Sequence, residues 1–269
     1  MREFEILVQG LFQSDQLAIA YDPSLRMPTN PAEEEQRERI WQEKLALARK
    51  RNTPLYDAPL FRFIGAKKRQ DTLELVLGDT SYKEYVTTRE PAFANLHTRQ
   101  ELGNPLAVCS VVETSDGYIL LDKREGVDVY VGRYHVIGGF FERELDIDTL
   151  ARPDPFAAML REIREETGVP PEDSFAQYCL GVVYDLLTPH AELCFLTRLS
   201  IPLATVLKRV PLDREIQRLR SLHANPESLH VFLSQHQGSM SATGEPNLLL
   251  YGGWKFGEKW LEAELKLGE

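Results

Sequence analysis

The sequence predicts a mixed α/β (α+β) protein with a smaller α+β unit over residues 1–101 and a larger unit over 102–269. Three observations lead there. Strand-like and helix-like apolar patterns both recur along the chain. From Leu106 onward the texture turns to sustained β. Within that second part, one short acidic helix carries an apolar stripe that needs a sheet to pack on.

The elements follow in order. Phe4–Val8 reads as an opening strand, followed by a polar stretch and Pro28–Pro31. A charged helix over about Ala32–Lys50 has Ile40, Trp41, Leu45 and Leu47 as its apolar stripe. Phe61–Gly65 and Thr72–Leu77 read as paired strands joined by the basic turn Ala66–Gln70, with a helix after them at Tyr82–Thr88. In the second part, Ala107–Glu113 and Tyr118–Asp122 flank the turn Ser115-Asp116-Gly117. Short strands are expected near Val129–Val131 and His135–Ile137, leading to Gly138-Gly139. Two longer strands, Phe175–Leu186 and Leu193–Leu199, flank Thr188-Pro189-His190. After them the sequence suggests a helix over Asp213–Leu222, a strand at Leu229–Leu233 and a terminal amphipathic helix over Gly257–Leu267. Tyr251, Trp254 and Trp260 read as core or as a subunit contact.

Charge and composition narrow the function. The 269 residues carry a net charge of −10, without the cationic footprint of a nucleic-acid binder. An anionic substrate would have to be received by local cations and a metal, against the overall field. Cys109, Cys179 and Cys194 lack C-x-x-C spacing, so neither a zinc site nor a disulfide framework is indicated, and Cys109 and Cys194 sit in apolar runs as small core residues. No G-x-S-x-G and no H-E-x-x-H occurs, which removes the serine-hydrolase and zincin readings. The N-terminus lacks a basic n-region and long apolar run, and no stretch reaches a membrane span, so a cytoplasmic chain without membrane partners is expected.

Residues 161–169, Arg-Glu-Ile-Arg-Glu-Glu-Thr-Gly-Val, carry the chemistry. On a helix Glu162 and Glu166 stand at i and i+4 on one face, and Glu165 sits at its edge. Like charges so placed repel unless neutralised. Mg²⁺ is a natural neutraliser, because it binds through one or two carboxylates together with substrate phosphates. Arg161 orients the cluster through a charge-assisted hydrogen bond. Asp154 is the expected N-cap, Pro155 the first helical residue and Gly168 the C-terminal stop, with Pro170-Pro171 beyond it. Phe156, Met159, Leu160, Ile163 and Thr167 form the packing stripe.

This nonapeptide fills the pattern R-E-U-x-E-E-x-G-U, with U aliphatic, and so resembles the second half of the Nudix box. The first half departs from it. Pro153 stands where the box has a glutamate, and Gly138-Gly139 lie too far upstream, as though Phe140–Arg152 held an insertion of about eight residues, a length surface loops tolerate. Segments around Ile40–Leu45, Leu55–Arg62 and Leu77–Tyr85 resemble the branch of Nudix hydrolases containing the animal UDP-glucose/UDP-galactose diphosphatase and a plant GDP-mannose pyrophosphohydrolase relative.

The resemblance implies a Nudix fold, a mixed β-sheet sandwiched between helices. It also implies a hydrolase acting on the diphosphate bond of a nucleoside diphosphate sugar, with Mg²⁺ or Mn²⁺ as cofactor. Another nucleoside diphosphate derivative, such as ADP-ribose, a dinucleoside polyphosphate or an NTP, and a non-catalytic nucleotide-binding module stand as alternatives. The metal ligands implied are Gly139 by its carbonyl, Glu162, Glu165, Glu166 and Glu192. The catalytic set is the three box glutamates with Arg161 and Glu192, and the general base is left open among Glu162, Glu166 and Glu192. Glu142 and Glu144 stand equally as replacements for the missing glutamate.

Recognition of base and sugar falls to weaker candidates. Tyr82 and Tyr85 are able to stack on a base or to pack in the core. Arg89 and Arg133, with Lys123, Arg124 and Arg143 behind them, are the cations available for phosphate oxygens. His135 reads as structural. A small nucleotide is the expected partner, and a homodimer is compatible with the N-terminal unit.

Overall fold

The chain opens with strands β1 (Phe4–Phe12) and β2 (Leu17–Tyr21), helix α1 (Pro31–Arg51), strands β3 (Pro59–Arg69) and β4 (Thr72–Ser81), and short helices α2 (Tyr82–Thr88) and α3 (Pro91–Ala94). It continues through β5 (Leu106–Glu113), β6 (Tyr118–Lys123), β7 (Tyr134–His135), β8 (Ile137–Phe140), α4 (Pro155–Thr167), β9 (Ser174–Asp185) and β10 (His190–Leu199). It ends with α5 (Leu203–Val206), β11 (Arg220–His223), α6 (Pro226–Gln235), α7 (Gly244–Phe256) and α8 (Glu258–Leu267). This computed structural model describes residues 2–124, 129–212 and 219–267.

The large sheet runs β1-β9-β10-β5-β6-β11, with β8 on β5 and β7 on β6. Its β10–β5 pair is parallel and the others are antiparallel, so the sheet is mixed. Strand β5 is buried along its whole length because both faces of the sheet are covered. Alternation along β10 divides those faces. Ala191, Leu193 and Phe195 join Val108, Val112 and the α4 residues Ala158, Met159 and Ile163. Cys194 and Leu196 join Cys109, Val111 and the α7 residues Leu248, Leu250 and Tyr251. The sheet thus lies between α4 on one side and α7 on the other, the layered α/β arrangement expected. Cys109, Cys179 and Cys194 are buried free thiols. No described helix is long and apolar enough to cross a membrane.

The small sheet, β2-β4-β3, belongs to the same apolar body. Phe61, Phe63, Leu73, Leu75 and Leu77 pack in one cluster with Leu106 and Val108. Strand β1, although it comes first, pairs antiparallel with β9 in the large sheet. Residues before 102 therefore contribute to both sheets.

Several sequence expectations are corrected. Leu229–Leu233 lies inside α6, which Asn225 caps by accepting from the Ser228 amide at 2.8 Å, with Pro226 as first residue. The helix expected over Asp213–Leu222 lies outside the described residues for 213–218, and Arg220–His223 is a strand paired with β6. Val129–Val131 forms bends and a turn rather than a strand. Strand β2 and helix α7 are additions to the elements expected. In α7, Pro246 and Gly252-Gly253 look like breakers, yet the proline sits in the first turn, where no intrahelical N–H is needed. On α1, Trp41 is buried but Leu47 is exposed. At the C-terminus, Tyr251 is buried and Trp254 is 39% exposed.

The β1–β9 junction has a backbone requirement. Gly181 has φ +150°, and a Cβ there would fall closer than 3.0 Å to the Val8 carbonyl oxygen. Gly181→Ala should destabilise the protein by about 1–3 kcal/mol through strain and displacement of β1. Urea unfolding measures this, and a wild-type midpoint would show that β1 does not depend on this close approach.

Candidate functional site

Helix α4 is built where the sequence places it. Asp154 Oδ1 accepts from the Ala157 amide at 3.0 Å, Pro155 opens the helix, and Gly168, with φ 71°, closes it in the left-handed conformation. The packing face and the acidic face are neighbours rather than opposites, because Glu162 and Glu166 are buried along with Met159 and Ile163. Both carboxylates turn toward β8. The Gly138 amide donates to Glu166 Oε2 at 3.1 Å. A Cβ on Gly139 would lie closer than 3.0 Å to both carboxylate oxygens of Glu162, so only a glycine lets that carboxylate rest on the strand.

Arg161 binds the cluster together. Its Nε and Nη2 donate to Asp146 Oδ1 and Oδ2, each at 2.8 Å, in a bidentate pair. Its Nη1 reaches Glu165 Oε2 at 2.8 Å and Glu162 Oε1 at 2.9 Å, and Nη2 also donates to the Phe140 carbonyl at 3.2 Å. Burial alone would lower the guanidinium's pKa, but the Asp146 hydrogen bond and the charges of Glu162, Asp146 and Glu165 outweigh it and raise the value. Asp146 is a residue that sequence reasoning missed. It is 2% exposed, and its Oδ2 also accepts the Glu142 amide at 2.8 Å.

Of the two alternatives for the missing glutamate, Glu142 is half-buried and Glu144 exposed. Burial lifts the Glu142 carboxyl above its ordinary value, against the pull of Arg161 and with help from the charges of Asp146, Glu165 and Glu144.

Glu192 lies apart from this cluster. On β10 it alternates with Ala191 and Leu193, which face α4, so it points to the α7 side. It is 2% exposed there, between His135 Nε2 and His190 Nε2, each 3.7 Å from one of its oxygens. The ring nitrogens on the far sides are occupied. His135 Nδ1 pairs with Ser241 Oγ at 2.6 Å, and His190 Nδ1 with the Thr188 carbonyl at 2.5 Å. Burial opposes the ionisation of Glu192, but the neighbouring His190 imidazolium outweighs it and holds the carboxyl down at about 2. His190 is driven down by burial, then raised to about 10 by Tyr85, Glu192 and Asp185. His135, for which burial prevails, falls to about 3 and is neutral.

The recognition candidates are mostly committed to the fold. Tyr85 is 1% exposed, with its ring against Phe140 at 5.3 Å and His190 at 5.7 Å, and with the Arg89 guanidinium 4.6 Å from its centroid. It is a core residue, and Arg89 is stacked on it. Tyr82 is half-buried against Phe140. Arg133 is paired with Glu3 and the Met240 carbonyl, and Arg143 with Asp79 Oδ2 at 2.9 Å. Arg124 donates to the Val129 carbonyl at 3.1 Å, and the Lys123 ammonium lies 5.7 Å from the centre of the Tyr134 ring.

Does the α4 cluster suit a hard divalent cation? Among the described residues no three acidic, histidine or cysteine side chains form a ready-made metal cage. Mg²⁺ seldom uses one, since it keeps waters and takes one or two carboxylates with substrate phosphates. Glu142, Asp146, Glu162 and Glu165 gather around the guanidinium of Arg161, and Glu166 rests on the Gly138 amide one turn on from Glu162, so oxygen donors and negative charge are in excess. The donor set fits.

A cleft of about 610 Å³ opens beside the N-terminus of α4. Leu17, Ile19 and Tyr21 of β2 form one wall, and Arg152, Asp154 and Phe156 part of the other. Arg152 is held by Asp148 at 2.7 Å.

No protein-family model matches the chain, and no curated protein matches it. Solved structures similar in shape include a bifunctional NMN adenylyltransferase/ADP ribose pyrophosphatase from Francisella tularensis. It is 15% identical, has a TM-score of 0.42, and the match covers 64% of this chain and 46% of that one. The NUDIX domain of Shewanella oneidensis NrtR complexed with ADP ribose is 15% identical with a TM-score of 0.39, covering 60% and 95%. A C. elegans Ap4A hydrolase is 16% identical with a TM-score of 0.38, covering 55% and 96%. The chain thus spans less than half the length of the Francisella protein. Likeness at this level carries no argument on its own, and the functional reading rests on the side chains.

Two outcomes test this geometry. Gly139→Ala should cost little stability, because the clashing atoms are the movable end of Glu162, yet weaken Mg²⁺ binding severalfold by displacing a hard ligand. Calorimetry with a thermal melt checks both, and unchanged affinity would remove Glu162 from cation binding.

Glu192→Gln should cost about 1–3 kcal/mol near neutral pH, because the buried His190 loses one carboxylate and keeps only that of Asp185, 3.8 Å from its Nδ1. In the wild type the His190 contribution is full below its ordinary value of 6.5 and fades as pH rises through about 10. The Glu192 contribution is full above 4.5 and fades as pH falls toward 2. Unfolding free energy measured across pH should show a smaller alkaline decline in the variant; an unaltered slope would show the pair to be electrostatically silent.

Proposed function

We propose that this chain is a metal-dependent pyrophosphohydrolase of the Nudix type that cleaves a nucleoside diphosphate sugar, UDP-glucose- or UDP-galactose-like, to a nucleoside monophosphate and a sugar 1-phosphate. The observation that carries the reading is the α4 cluster, with Glu162 and Glu166 seated on Gly138-Gly139 and Arg161 fixing Glu162 and Glu165 from the side. A helix that only needed to pack would not bury two carboxylates and hold a third beside them, since each such charge is costly to desolvate.

Mg²⁺ or Mn²⁺, held by Glu162, Glu165 and Glu166 with the Gly139 carbonyl, would supply charge neutralisation at the phosphate oxygens and make water a better nucleophile at neutral pH. The chain's own residues do the rest. Arg161 fixes the rotamers of Glu162 and Glu165, so that their charges are in place before the reaction. Glu162 or Glu166 accepts the proton of the attacking water. That water adds to one phosphorus, the bridging P–O bond breaks, and the leaving phosphate carries the displaced electron pair. Catalysis is then mostly positioning and electrostatics.

The cleft beside α4 supports a sugar in the substrate. It lies about 10 Å along the helix from Arg161, seven residues at 1.5 Å each. Helical side chains lean toward the N-terminus, in the direction of this cleft. Asp15, Asp148 and Asp154 outnumber Arg152 among its walls. Such a surface disfavours phosphate and suits hydroxyl donors, while Tyr21 and Phe156 offer apolar faces to a sugar ring.

The test is a panel of UDP-, GDP- and ADP-sugars, ADP-ribose, dinucleoside polyphosphates and NTPs with Mg²⁺, the products identified by mass. A nucleotide sugar should be turned over with the highest kcat/KM. Preference for ADP-ribose or an NTP would move the substrate class, and binding without turnover would make the chain a nucleotide-binding module. Glu166→Gln should lower kcat at least about 100-fold while the melting temperature stays near wild type, because it removes charge but not shape. Wild-type turnover in that variant would take the helix out of the chemistry.

A further inference from the structure

We propose that Asp146 is the positioning residue of the α4 site and that the β3–β4 sheet sets its place, through a strap formed by residues 140–146. This deepens the hydrolase reading above and rests on it. Pro153 leaves the helix without a carboxylate from the usual upstream position, and the bidentate pair to Arg161 comes instead from Asp146 in the insertion. Arg161 in turn touches Glu162 and Glu165, so the orientation of two candidate ligands depends on where Asp146 is held.

The strap is anchored on β3 at several points. The Phe61 amide donates to the Phe141 carbonyl at 3.1 Å, and the Arg143 amide to the Pro59 carbonyl at 2.9 Å. Arg143 Nε donates to the Leu60 carbonyl at 3.1 Å, and its Nη1 reaches Asp79 of β4 at 2.9 Å. The rings of Phe61 and Phe141 lie 4.4 Å apart. Beyond the strap, the Asp154 amide donates to the Asp146 carbonyl at 3.0 Å, which ties the same residue to the N-cap of α4. Asp146 thus joins the small sheet, the start of α4 and Arg161. Through it the residues before 102 position an acidic side chain that the catalytic helix lacks.

The experiment uses the full chain with wild type, D146N, R161A and the double variant, assayed on the best substrate of the panel. D146N keeps the shape of the side chain, so the fold should persist. Its kcat should fall at least about 10-fold with KM within about twofold, because misplacing catalytic groups by an ångström is costly while ground-state binding is untouched. In the R161A background D146N should add no further loss, because the two residues act as one unit. Losses that multiply, or an unchanged kcat in D146N, would overturn the proposal. D79N, which leaves Asp146 and Arg161 in place, should give a smaller kcat loss, and no loss would sever the small sheet from the site. Hydrogen exchange supplies a readout without turnover. The Glu142 and Asp154 amides should exchange at least about 10-fold faster in D146N if the strap is held by this residue, and equal rates would overturn it. If no panel member is cleaved, the hydrolase reading falls and the exchange result alone decides whether Asp146 holds the strap.

Discussion

The geometry of the candidate site depends on one guanidinium. Arg161 binds Asp146 in a bidentate pair and reaches Glu162 and Glu165 with its remaining nitrogen, in a place where carboxylates would otherwise repel one another. Planarity matters here, because a lysine would satisfy one carboxylate at a time while the fork of arginine fixes several directions at once. The charge is still not balanced, and that surplus is what a divalent cation with a substrate phosphate would complete. Stability and chemistry meet at this point, since the same contacts hold the insertion against α4.

The sheet supplies rigidity beneath it. Strand β5, buried on both faces, pairs with β10 on one side and with β8 and β6 on the other. Because β8 is hydrogen-bonded to β5, the Gly138-Gly139 seat for the two buried glutamates is part of the sheet rather than a loose loop. On the α7 side, burial imposes different chemistry. Glu192 and His190 hold each other charged while His135 is neutral, three ionisation states set by one shared low-dielectric pocket.

The sequence by itself determined the acidic helix, its caps and most of its packing residues, with Ala158 in the core in place of the expected Leu160, because these follow from short-range rules: 3.6-residue spacing, a side chain able to cap three residues on, and a glycine free to turn left-handed. It also determined the α/β class and most strands of both sheets, where apolar and β-branched residues run together between turns. Only the tertiary structure decided the rest. Asp146 stands fifteen positions before Arg161, and no local rule relates an insertion residue to a helix it folds back on. Glu192 and Leu193 are adjacent in sequence but face opposite sides of one sheet, and which side looked toward α4 depended on strand register. Tyr85, equally suited on paper to a base or a core, was assigned by the packing of Phe140 and His190 around it. Pairing across long separations is decided by which surfaces must leave water together, and that is a property of the whole fold.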